Sequence, residues 1–89
     1  MRVIAQGGKI DIPYERMIIQ IDFYDNKTII AYDTVTRAAD PLDMAKYSTT
    51  EKTIEAMEKL YRAYASGAKV FLFPQDDEIE EDEIGRAHV

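Results

Sequence analysis

Charge is segregated along this chain, and the segregation limits how much of it can form a core. Residues 76–83 read Asp-Asp-Glu-Ile-Glu-Glu-Asp-Glu and hold seven of the 17 acidic side chains. Residues 1–75 carry the other ten acids and ten of the 11 bases, so the formal net charge of −6 belongs to the C-terminal stretch. Like charges at that density repel one another and bury too little apolar area to offset the entropy of ordering the chain. The fold is therefore expected as one domain over residues 1–75, with residues 76–89 as an acidic, disordered tail.

A chain near this length buries only about 60% of its unfolded surface, so its core is thin. The 46% hydrophobic and 31% charged content is that of a globular protein. Cysteine is absent, which removes a disulfide framework, a thiolate metal site and a cysteine nucleophile. Met1–Gly8 lacks the apolar run of a signal peptide, and no stretch approaches the ~18 apolar residues that span a bilayer. A neutral body with an acidic end opposes attraction to nucleic acid or anionic lipid. A cytoplasmic location in a bacterial cell is the expectation.

The first half reads as strands. Arg2–Gln6 and Lys9–Ile12 flank Gly7-Gly8, a pair suited to a hairpin turn, and Pro13 ends the pairing or marks a sheet edge. Met17–Tyr24 and Lys27–Asp33 flank the turn signal Asp25-Asn26. A two-residue turn at 25–26 or 26–27 predicts a core face of Ile19, Ile21, Phe23, Thr28, Ile30 and Tyr32. The opposite, mixed face then carries Ile18, Gln20, Asp22, Tyr24, Ile29, Ala31 and Asp33. Thr34–Pro41 reads as a loop, and Leu42–Tyr47 as a fourth strand.

Ser48-Thr49-Thr50-Glu51 matches a capping box, with Ser48 as N-cap, and predicts a helix from Thr49 to about Ser66 that Gly67 terminates. Ile54, Met57, Leu60, Tyr61 and Tyr64 form an apolar stripe expected to face the sheet. Glu55/Lys59 and Glu58/Arg62 are i,i+4 pairs expected on the solvent side. Val70–Phe73 is a compact apolar strand stopped by Pro74. The resulting fold class is α+β: an antiparallel β-meander of four or five strands with one long helix packed on one face.

No constellation specifies a reaction. The single histidine, His88, lies in the acidic tail, and Ser48 is better explained as a helix cap than as a nucleophile. Asp22 and Asp33 are a candidate carboxylate pair on the mixed face, although two solvated strand aspartates are the commoner situation. Gly7-Gly8-Lys9 lacks the spacing and the following helix of a phosphate-binding loop. The acidic run lacks the alternating ligands and mid-loop glycine of a calcium loop. Its two readings are a solubiliser that keeps Val70–Phe73 from pairing edge to edge, and a docking or mimicry segment. The six tyrosines, Tyr14, Tyr24, Tyr32, Tyr47, Tyr61 and Tyr64, lack a basic surround for base stacking and suit half-buried core or interface positions. No catalytic, cofactor-binding or metal-ligating residue is assigned, and no cofactor is called for.

Residues 1–15, Met-Arg-Val-Ile-Ala-Gln-Gly-Gly-Lys-Ile-Asp-Ile-Pro-Tyr-Glu, together with Ala45–Lys52 and Phe71–Gln75, carry a resemblance. They resemble small uncharacterised proteins encoded by phages and prophages of low-GC Gram-positive bacteria, in which an opening Met-Arg-Val-Ile-Ser-Gln-like strand recurs. Ala5 and Gly7 depart from the serine and acidic residue of that pattern. The resemblance implies a genomic setting rather than an activity, and no functional residue is carried over from it. The functional expectation is a non-enzymatic, self-associating protein-interaction module that binds neither nucleic acid nor membrane. The alternative is an acidic decoy that occupies the basic site of a nucleic-acid-binding protein.

Overall fold

The computed structural model describes residues 1–34 and 40–79. Six strands and one helix follow in the order β1 (Arg2–Ile4), β2 (Asp11–Pro13), β3 (Met17–Ile21), β4 (Thr28–Asp33), β5 (Leu42–Lys46), α1 (Thr50–Ala65) and β6 (Val70–Leu72). The class is α+β, with one α-helix among the described residues. Of the expected meander of four or five strands, three form one sheet, in the order β3-β4-β5, antiparallel throughout. The remaining strands form a second sheet, in the order β2-β1-β6, in which β6 runs parallel to β1.

The first hairpin has the pairing that a centre at Gly7-Gly8 predicts, Val3 opposite Ile12 and Ile4 opposite Asp11. The Gly8 N–H donates to the Ala5 carbonyl at 2.8 Å, and Gly8 takes φ +75°, a conformation in which a Cβ is strained. Pro13 lies on the outer strand, where its missing N–H interrupts no ladder.

The second hairpin corrects the expected facing. Met17 opposes Asp33, Ile19 opposes Ala31, and Ile21 opposes Ile29. The connection closes with the Asp22 N–H on the Thr28 carbonyl at 2.8 Å, leaving five residues, 23–27, in the loop. An odd loop inverts the facing of the second strand relative to a two-residue turn. Asp25 builds this loop by accepting from the Lys27 and Thr28 N–H groups and the Thr28 hydroxyl, while Asn26 takes φ +59°. The core face is therefore Ile19, Ile21, Ile29 and Ala31, with Ile29 and Ala31 buried. Phe23, expected in the core, is 82% exposed.

On β5 the pairing jumps from Ile29–Ala45 to Ile30–Asp43, so Met44 is an inserted residue. The bulge lets Met44 and Ala45, neighbours in sequence, both bury.

The helix starts one residue later than expected. Thr49, with extended backbone, is the N-cap, and its hydroxyl accepts from the Lys52 N–H at 3.1 Å. Ser48 instead faces Asp76, so the predicted Ser48 capping box does not form. The end is as expected: Gly67 takes φ +83°, the Ala68 N–H reaches the Ala63 carbonyl, and the Gly67 N–H reaches that of Tyr64. The buried positions are Thr53, Glu55, Ala56 and Leu60. Of the predicted stripe only Leu60 is fully inside and Met57 half-buried, while Ile54, Tyr61 and Tyr64 remain exposed. Small residues at 53 and 56 let the helix approach β3 and β4 closely, which turns the larger side chains to its flank.

The packed unit runs past residue 75. Asp76–Glu78 forms a 3-10 turn, and Ile79, only 1% exposed, belongs to the same core as Phe73, Leu60 and Val3. The expected boundary at 75/76 thus cuts through a packed segment. The remainder of the expected tail, residues 80–89, lies outside the described residues, as do His88 and residues 35–39 of the expected loop.

Candidate interaction surface

The two sheets meet at Gln6. Its N–H donates to the Met44 carbonyl at 2.7 Å, and its side-chain oxygen accepts from the Lys46 N–H at 3.0 Å. Its side-chain nitrogen donates to the Pro74 carbonyl at 3.1 Å, and its own carbonyl accepts from Gln75 Nε2 at 2.7 Å. These bonds cover the outer edge of β5 with chain from the first sheet. The edge of β3 lies on the other side of the meander, against the flank of α1.

Between β3 and α1 runs an open apolar trough. One part, about 550 Å³, is lined mainly by Ile19, Ile21, Phe23, Ile54, Met57 and Tyr61. A second part, about 330 Å³, continues over Met17, Ile18 and Leu60 to Tyr14. The Tyr14 ring stacks on Tyr64 with centroids 4.4 Å apart, which closes that end. The trough follows from the helix rotation described above, since Ile54, Met57 and Tyr61 flank the sheet instead of covering it.

Charged groups near α1 are engaged within the fold. Asp76 accepts from the Ser48 N–H at 2.7 Å and from the Ser48 hydroxyl at 3.1 Å, and Lys52 Nζ lies 3.4 Å from the same carboxylate. The Ser48 N–H bond, followed by the hydroxyl and Lys52, holds the Asp76 carboxyl below the usual aspartate range. Asp25 is lowered in the same sense, first by the Lys27 N–H. Glu55, expected on the solvent side, is buried and lies 3.9 Å from Lys59 and 3.8 Å from Arg62, while Glu58 pairs with Arg62 at 3.0 Å. Tyr47 is buried and donates to the Pro74 carbonyl at 2.8 Å; burial, then the neighbouring Asp76 and Glu78, raises its phenol pKa.

The candidate carboxylate pair is not brought together. Asp22 lies at the loop end of the hairpin and Asp33 opposite Met17, five rungs away, on the other face. At about 3.4 Å per residue that separation is on the order of 17 Å, too far for shared proton chemistry. Asp22 is used locally, accepting from the Tyr24 N–H at 2.9 Å. Gly7-Gly8-Lys9 lies in a hairpin connection, with no helix after it to bind phosphate. Among the described residues, no three His, Cys, Asp or Glu side chains converge as a metal site, and no helix is long and apolar enough to cross a membrane.

Gln6, Thr49 and Asp76 were not distinguished by the sequence pattern as the residues that fix this geometry. Thr49 is a capping residue type one position from the predicted cap, so the signal was present and its register ambiguous. Gln6 acts across sequence separations of 38 to 69 and Asp76 across 24 to 28, and no local pattern marks them. No family model, curated protein or solved structure matches the chain.

Proposed function

We propose that this chain is a non-enzymatic protein-interaction module that self-associates, derived from a phage or prophage and acting in the cytoplasm of its bacterial host. The observation that carries the reading is the trough between β3 and α1, with Phe23, Ile54 and Tyr61 exposed along it. A contiguous apolar surface of this kind on a small domain marks an interface far more often than a solvated wall. Its lining is mainly aliphatic and aromatic, with Gln20, Asn26, Thr50 and Glu58 among it, which suits a partner surface better than a polar substrate. The genomic setting is supported by the resemblance in residues 1–15, 45–52 and 71–75.

The acidic-decoy reading gains no comparable observation. Asp76, the first acid of the run, is directed inward to Ser48 and Lys52, and Glu78 accepts from the Gln75 N–H at 2.7 Å. Light scattering on the full chain tests the proposal. A mass near twice 10.2 kDa at high micromolar concentration, little changed between low and high salt, is the expected result. A constant mass of one chain across the concentration range would remove self-association.

A further inference from the structure

We propose that two copies associate by antiparallel addition of β3 to its counterpart about a two-fold axis at Ile19, joining the two meanders into one six-stranded sheet. This inference rests on the self-association reading and specifies its surface and register.

The edge is built to pair. Among the described residues no strand pairs with the outer side of β3, whereas Gln6 occupies the outer side of β5. The sequence Met17-Ile18-Ile19-Gln20-Ile21 contains none of the lysines, prolines or inward charges that protect exposed edges from pairing. By contrast Pro13 protects β2, and β6 is only three residues long.

Main-chain geometry narrows the register. The Asp22 N–H bonds to Thr28, and antiparallel ladders alternate, so Ile18 and Gln20 bond inward to β4. Met17, Ile19 and Ile21 therefore direct their main-chain groups outward. The Met17 N–H already donates to the Tyr14 carbonyl, which leaves Ile19 and Ile21 as donors. With the axis at Ile19, each Ile19 N–H meets the other copy's Ile19 carbonyl, and each Ile21 N–H meets the other copy's Met17 carbonyl. That is two bonds per copy and four in all; a slip that opposes residues summing to 36 retains fewer, whereas one that opposes residues summing to 40 retains as many, and the charges at the strand ends decide between those two.

Side chains and charges agree with the same register. Met17, Ile19 and Ile21 share the face that carries the trough, so an added copy of β3 places three apolar side chains beside Ile54, Met57 and Tyr61. Residues whose numbers sum to 38 are opposed, and this sets Arg16 of each copy against Asp22 of the other. Within one chain, and among the described residues, Arg16 has a 3.9 Å pair with Asp33 and is largely exposed. A strand that is apolar in the middle, basic at one end and acidic at the other complements itself only when antiparallel.

Two measurements on the full chain test the inference. Amide hydrogen exchange is expected to slow at Ile19 and Ile21 as concentration rises through the association range, while Gln20, bonded to β4 in either state, stays unchanged. In sedimentation at low salt, Arg16→Asp and Asp22→Arg are each expected to weaken association about tenfold, since each creates two like-charge contacts per dimer. The double variant is expected to return to within about threefold of wild type, a rescue that damage to the hairpin alone would not produce. A wild-type dimer whose Ile19 and Ile21 amides exchange at the same rate at all concentrations would overturn the β3 register while leaving self-association intact. Leu72→Lys abolishing that dimer would place the interface on β6. A wild-type chain that never dimerises would instead remove the underlying reading.

Discussion

Asp76 couples the end of the described chain to the start of the helix, and its titration reports on that coupling. Its folded pKa lies below the ordinary aspartate value of about 3.9. The stabilisation is therefore fully present above that value and is lost as pH falls through the lower, folded one. Asp76→Asn is expected to lower the urea midpoint at pH 7, and the gap between the two proteins is expected to narrow as pH falls below the ordinary aspartate value and the wild-type carboxyl takes up its proton. An unchanged gap between the two proteins from pH 7 to pH 2 would mean that the charge on Asp76 contributes nothing. At this scale the sequence was readable only where an interaction is local. Gly67, three residues from the Tyr64 carbonyl and four from the Ala63 carbonyl that its cap serves, was legible. Gln6, whose partners lie at 44, 46, 74 and 75, was not, because only the closed fold brings them together.

The elements were legible in kind, and their orientation depended on details that periodicity does not resolve. The helix was found within a residue at each end, yet its buried face is rotated from the largest apolar side chains toward Thr53, Ala56 and Leu60. Periodic patterns rank residues by hydrophobicity, whereas close packing against a sheet also selects small ones. Leu60→Ala is expected to cost roughly 2–5 kcal/mol and Ile54→Ala under about 1 kcal/mol, measured by denaturant unfolding at dilute concentration. Equal losses would contradict the rotation. Thr49→Ala is expected to remove about 1 kcal/mol by deleting the N-cap. The β3–β4 connection shows the same sensitivity in another form. Removing one residue from 23–27 would turn Ile29 and Ala31 outward unless the pairing slips. Loss of the folded far-UV signal after a one-residue deletion, with tolerance of a two-residue insertion, is the pattern this loop predicts.

For the whole molecule, the boundary of the folded unit is the most consequential departure from composition. Residues 76–79 were grouped with the acids that follow them, but Ile79 fills the core and Asp76 caps Ser48. A side chain of this size contributes about 1.5–3 kcal/mol when fully buried. A chain ending at Gln75 is accordingly expected to be less stable than one ending at Ile79 by about 3 kcal/mol, read from the shift in denaturant midpoint. Equal midpoints would return the boundary to 75. Charge density identified the region that resists burial, and one isoleucine among the acids was enough to anchor its first turn.

The parallel pairing of β1 with β6 also has a consequence for biosynthesis. Val3 is made 68 residues before its neighbour Phe71, and before the core residues Phe73 and Ile79. At about 5–20 residues per second, the nascent first hairpin waits roughly 4–15 s for the segment that completes its sheet. The β3–β4–β5 meander, whose pairings are all between neighbours in sequence, can form during that interval. Synthesis thus imposes a sequence of events on a small protein: the meander and helix assemble first, and the opening strand is enclosed by the closing one. A ribosome stalled before residue 70 would display an unsealed apolar face to chaperones and proteases, so quality control can discriminate chains that carry the sealing segment from those that lack it by that face alone.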